Sequence, residues 1–235
     1  MPRKSGACRL ARRKRLVQLE TWFLLDRSAL QHNVLGALGP TDWLEVTAGF
    51  VHGGVHTNAE RGYSIRGPVL QAKALLLPAV DGGRPGFAVA AGILPPFGHG
   101  PFQPPGWGAF AYAAATESLF EERVLVHANV GLAVGDQGAS FAGDRLQKLL
   151  TLGVGFQAHV VAGLHGVAEI YRGDPYDAST NFPAAQAGFR YIFSEQVQAD
   201  STFGTTLTAV GDADGERRTE RWGSLGLLLV SRELW

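Results

Sequence analysis

Between Arg123 and Asp136 the chain alternates without a break. Val124, Val126, Ala128, Val130, Leu132 and Val134 fall on one face, and Leu125, His127, Asn129 and Gly131 fall on the other. A period of two over this length marks a strand with two different faces, because successive side chains point to opposite sides of a sheet. The segment from Leu146 to His159 repeats the pattern, with Leu150, Leu152, Val154, Phe156 and Ala158 opposed by Thr151, Gly153, Gly155, Gln157 and His159. Both runs exceed the ~5–6 residues usual in globular sheets and match the ~9–11 tilted residues that cross a membrane.

The same reading applied from Leu16 onward predicts about twelve strands, near 16–26, 29–38, 43–53, 66–77, 86–96, 107–117, 123–135, 145–159, 162–172, 181–194, 197–208 and 221–234. Short connections (Gly39 to Asp42, Leu119 to Glu122, Val160 to Ala162, Ser194 to Gln196) alternate with long ones (Gly54 to Ile65, Gly98 to Gly106, Gly135 to Asp144, Gly173 to Thr180, Gly211 to Glu220). Short turns at one end, long loops at the other and an even strand count are the habit of bacterial outer-membrane barrels. Pro78 to Pro85 is too long for the end on which it falls. Prolines keep to strand margins, Pro68 and Pro183 near starts and Pro95 and Pro96 at an end, where a missing N–H costs least. Trp43, Phe97, Trp107, Tyr171, Phe193, Trp222 and Trp235 also gather near strand ends, where an interfacial girdle would place them. The expected fold is therefore all-β, an antiparallel up-and-down transmembrane barrel over residues 16–235, preceded by a basic, disordered or mis-started segment 1–15.

Composition narrows the function classes. Lys plus Arg and Asp plus Glu both number 21, so no global field draws in nucleic acid. Hydrophobic residues make up 46% and charged residues 18%, yet no run approaches the ~18 apolar residues of a membrane helix. The 31 glycines and 12 prolines argue against helical bundles. Cys8 is the one cysteine, which leaves no intramolecular disulfide and no cysteine-rich metal site. A soluble β-sandwich or lipocalin-like barrel alternates too, but its outer face should carry many charges. Here the non-apolar faces are rich in Gly, Ala, Thr, Gln and isolated charges. Met1 to Arg15 lacks the apolar core of a secretory signal, so export to an outer membrane expects a start further upstream.

Short stretches resemble a known family: Val17-Gln18-Leu19-Glu20, Pro40-Thr41-Asp42-Trp43-Leu44-Glu45-Val46, Val167-Ala168-Glu169-Ile170-Tyr171, Ala187-Gly188-Phe189-Arg190-Tyr191, and Gln198-Ala199-Asp200 with Phe203-Gly204. They are similar to the MetA-like (meta-pathway phenol-degradation) and transporter families of bacterial outer-membrane β-barrels. The resemblance implies a monomeric barrel in outer-membrane lipid with a loosely defined transport role. The C-terminal Ser231-Arg232-Glu233-Leu234-Trp235 ends on the aromatic residue such barrels favour but places Glu233 at a position usually apolar.

No catalytic set emerges. Ser140 in Gly138-Ala139-Ser140-Phe141-Ala142-Gly143 misses the Gly-x-Ser-x-Gly spacing and lies in a loop, so neither an enzyme nor a cofactor is expected. His127, His159 and His165 share an inward parity, which reads as polar lumen lining sooner than as a metal site. Alternation sets Glu20, Glu45, Lys73, His127, Glu169, Arg190 and Asp200 on the non-lipid face as lumen candidates. Arg190 and Asp200 are equidistant from Glu195, so a hairpin centred there sets them opposite one another. Lys73 and Glu45 are equidistant from Ala59 in the same way. Twelve strands lie between the filled and the open barrel sizes, which leaves a small-solute passage and a lumen sealed by paired charges both standing.

Overall fold

A computed structural model of the chain describes residues 16–56, 61–136, 146–174, 182–211 and 217–231. Twelve long strands make up its wall: β1 Val17–Asp26, β2 Ala29–Leu38, β3 Leu44–His56, β4 Arg61–Leu77, β5 Gly86–Leu94, β6 Gly108–Leu119, β7 Val124–Asp136, β8 Leu146–Val161, β9 Leu164–Arg172, β10 Pro183–Ile192, β11 Val197–Thr206 and β12 Arg221–Val230. Each pairs antiparallel with the next, and β12 returns to β1 with Gln18 opposite Val230 and Asp26 opposite Trp222. The sheet is a closed up-and-down barrel with no free edge, so every strand satisfies its backbone on both sides.

Inside and outside are reversed relative to a soluble protein. Val130, Leu132, Val154, Phe189, Phe203 and Leu225 are half or more exposed on the outer surface, while Gln71, Thr151, Gln157 and His165 are buried within. Water-soluble barrels sort these residue types the other way. The alternation of residues 123–135 and 145–159 is thus the record of a lipid-type outer face and a mixed interior.

Two strands outrun the sequence reading. The stretch 54–65, expected as a loop, carries β3 on to His56 and starts β4 at Arg61, with Val55 opposite Gly62 and His56 opposite Arg61. Its glycines and histidines dilute the apolar pattern without breaking the pairing. A one-residue bulge between Gly49 and Val51 absorbs the extra length. Elsewhere boundaries move by only a few residues, as where β5 stops at Leu94 and β12 at Val230.

At the short-turn end, Phe120, Glu121 and Glu122 all adopt positive φ, between 57° and 64°. Consecutive left-handed residues with side chains are costly, so something must hold them. Asp81 does, reaching over from the 78–85 connection. Its carboxylate accepts hydrogen bonds from the Ser118 hydroxyl at 2.8 Å and from the N–H groups of Glu121 and Glu122 at 2.8 and 3.0 Å. Those bonds hold its carboxyl below the ordinary aspartate value, the one from Ser118 contributing most. The unexpected length of this connection is what lets it reach its neighbour.

Candidate functional site: the barrel lumen

The inward residues form two unlike walls. Across β4 to β8, one residue per strand (Val69, Leu94, Phe110, Ala133 and Leu149) packs into an apolar cluster inside the barrel, with Tyr112 against it. Phe110 and Leu149 are 4% and 1% exposed. The Phe110 ring lies over Gly92, where any Cβ would overlap it. From β9 round to β1 inward side chains form a hydrogen-bonded polar network instead. Gln186 Nε2 donates to Glu169 Oε1 at 2.7 Å, and Gln186 Oε1 accepts from the Trp222 indole N–H at 3.3 Å and from the Thr202 hydroxyl at 3.4 Å. Thr202 in turn shares a 2.7 Å hydrogen bond with Ser224.

Two cavities remain between the walls. One, of about 700 Å³, lies towards the short turns and is lined by Glu20, Lys73, His127, Glu169, Arg190 and Asp200 among others. The second, of about 620 Å³, lies towards the long loops and is lined by Asp26, Asn33, Arg66, Phe102 and Glu220 among others. Trp22, Leu24, Tyr171, Asp174 and Trp222 belong to both linings and form a waist between the two chambers.

Six of the seven residues expected to face the lumen therefore meet in one chamber. The seventh, Glu45, sits opposite Lys73 in the β3–β4 register and accepts a 3.4 Å hydrogen bond from Gln18 Nε2. Arg190 and Asp200 are register partners on β10 and β11 and form an ion pair at 3.4 Å, while a second guanidinium nitrogen donates to Gln157 Oε1 at 3.2 Å. His127 bonds Thr116 at 2.9 Å, His159 bonds the Ala162 carbonyl at 2.8 Å, and buried His165 faces Gln157. Among the described residues no group of three His, Cys, Asp or Glu side chains is placed to hold a metal. Ser140, Cys8, Ala59 and Arg232 to Trp235 lie outside the described residues.

One expectation is corrected. Tyr171 and Trp222 do not belong to an outer girdle, because they share the inward parity of Glu169 and Ser224 and line both chambers. Trp43, Phe97, Trp107 and Phe193 are indeed exposed. Sequence periodicity also missed the inward-folded segment at the loop end. Gly98 and His99 pair with Arg66 and Ile65, and Ser64, wholly buried, donates to the His99 carbonyl at 2.9 Å and accepts the Phe102 N–H at 2.7 Å. Pro101, Phe102, Gln103, Pro104 and Pro105 are thereby held against the chamber. A loop rich in proline carries no periodic signal for where it packs.

No family model and no curated protein matches the chain. Among solved structures it resembles the NanC porin, at TM-score 0.63 and 6% identity over 91% of this chain and 98% of that one. The KdgM porin in complex with disordered oligogalacturonate follows at 0.62 and 7%, over 90% and 98%. An outer membrane channel from Pseudomonas putida F1 gives 0.60 and 12%, over 92% and 95%. The architecture of this chain is thus the one found in porin-like outer-membrane barrels.

Proposed function

We propose that this protein is a channel of a bacterial outer membrane that passes small polar solutes, with the short turns in the periplasm and the long loops outside. The observation that carries the reading is the pair of chambers inside the barrel, which share five lining residues at the waist and are bordered by hydrogen-bonding and charged groups. A charged lumen lining behind a lipid-type exterior is what passage of hydrophilic solutes requires. The MetA-like resemblance points the same way and names no solute. A likeness to a barrel holding oligogalacturonate does not transfer that ligand either. Oligogalacturonate is a polyanion, whereas the larger chamber here sets the carboxylates Glu20, Glu169, Asp174 and Asp200 against Lys73 and Arg190. No catalytic role is assigned to any lumen residue.

A second reading has its own support. The Val69 to Leu149 cluster and the inward loop fill part of the bore, and a barrel packed this way throughout would be structural. Reconstitution into planar bilayers decides between them. A channel gives stepwise conductance in potassium chloride, and Arg190→Ala shifts its selectivity towards cations by leaving Asp200 uncompensated. A bilayer that stays silent with both proteins supports the sealed barrel and removes the channel.

A further inference from the structure

The three aromatic residues of the waist share a pattern. Each is separated from a glutamate by one residue: Glu20-Thr21-Trp22, Glu169-Ile170-Tyr171 and Glu220-Arg221-Trp222. On a strand, positions two apart face the same side, so on β1 and β9 the ring and its carboxylate point into the lumen together, while Glu220 stands one residue before β12. The linings agree. Trp22, Tyr171 and Trp222 border both chambers, Glu20 and Glu169 border the larger, and Glu220 borders the smaller. Because β1 and β9 run towards the loops and β12 runs away from them, two carboxylates fall on the turn side of the rings and one on the loop side. Asp174 stands at the waist itself.

One of the rings is held in place by the wall. The Trp222 indole leans from β12 across Gly204 of β11, where a Cβ would overlap it, and its N–H reaches Gln186 of β10 at 3.3 Å. Gln186 then spans to Glu169, so one amide fixes both an aromatic ring and the carboxylate that accompanies the next ring. Aromatic faces flanked by carboxylates, one of them fixed in this way, favour one class of solute above others. A large, weakly hydrated cation gains from the ring quadrupole and from the negative charge on either side, whereas an uncharged solute gains only contact and an anion is repelled.

We propose that the waist is a binding site for small organic cations, of the alkylammonium or quaternary ammonium class, which step from carboxylate to ring to carboxylate between the chambers. The assignment rests on the channel reading for its role in passage, but the site itself is tested by binding alone. Arg190 does not cancel it, since that guanidinium is engaged by Asp200 and Gln157.

The test is equilibrium binding of radiolabelled choline to the full chain folded in detergent, with strand content of every variant checked by circular dichroism. Two competitors of equal bulk are used: the carbon isostere in which a tert-butyl group replaces the trimethylammonium, and tert-butylacetate. The uncharged isostere should displace choline about ten-fold less well, the worth of one or two cation–π contacts, and the carboxylate less well again. Trp222→Leu should weaken choline by a similar factor while Trp222→Phe keeps most of it. Glu169→Gln and Glu220→Gln should each narrow the gap between choline and its isostere. Equal displacement by the isostere, or no saturable choline binding to folded protein, overturns the proposal. Potassium current without choline binding would sink this site and leave the channel. Choline binding without any current would keep the site and sink the channel.

Discussion

From β4 to β8 the interior is closed by one apolar residue per strand, whereas from β9 round to β1 it is kept open by side chains that bond one another along the wall. The two halves have the same backbone and the same alternation. What differs is the partner each inward residue finds. Phe110 and Leu149 pack on either side of Ala133, their register partner, and lose water, while Glu169, Gln186 and Thr202 are satisfied by hydrogen bonds to one another. A barrel of this size can therefore carry an apolar core on one stretch of its inner wall and a hydrogen-bonded polar network on another.

The sharpest way to break that division is to empty the closed half. Phe110→Ala removes a side chain that is 4% exposed and rests on Gly92, and should cost about 3–5 kcal/mol in urea unfolding from lipid. Thr202→Ala on the open half should cost no more than about 1 kcal/mol, because water replaces what the hydroxyl bonds. Equal losses would mean that both walls are core.

The next largest effect separates inside from outside. Val130, half exposed on the outer face, should lose roughly 2–4 kcal/mol on replacement by Arg near the bilayer midplane. Asn129 faces inward above Gly153, and Arg there should lose much less. If the two variants fold equally well in lipid vesicles, the outer face does not meet hydrocarbon.

Much of this was readable beforehand, for reasons that differ by region. Strand β2 coincides with residues 29–38 because its turns, Arg27-Ser28 and Gly39 to Trp43, are marked at both ends. The Arg190–Asp200 pair follows from a tight turn centred on Glu195, whereas Glu45 meets Lys73 as expected only because the bulge between Gly49 and Val51 shifts the register of the hairpin by one residue. Which inward residues would pack and which would stay wet was not readable. Leu149 and Phe110 occupy the same parity as polar lumen residues, and only the register that sets them beside Ala133 and the other apolar members of the cluster decides their state. The same limit hid Tyr171 and Trp222, whose positions near strand ends suit a girdle as well as a waist.

The smallest expected effect lies away from both walls. Asp81 is held below the ordinary aspartate value in the folded protein, so its stabilisation is complete above the unfolded aspartate range and is lost as pH falls through the depressed folded value. Hydrogen exchange at the amides of Glu121 and Glu122 should quicken across that acid window. The lumen should be unaffected, and Asp81→Asn should give the faster exchange at neutral pH. Protection that is unchanged in acid and in the variant would mean that the left-handed turn holds itself.

That clasp has a consequence for anyone who would re-engineer the barrel. Loops at the end of a hairpin are usually treated as exchangeable parts, each free to be shortened or swapped without regard to the others. Here residues 78–85 and the turn at 120–122 are one part in two pieces, joined through Asp81 across the intervening strands β5 and β6. Trimming the first to an ordinary two-residue turn would leave the second without its anchor, so a minimal version of this barrel has to redesign both hairpins in a single step.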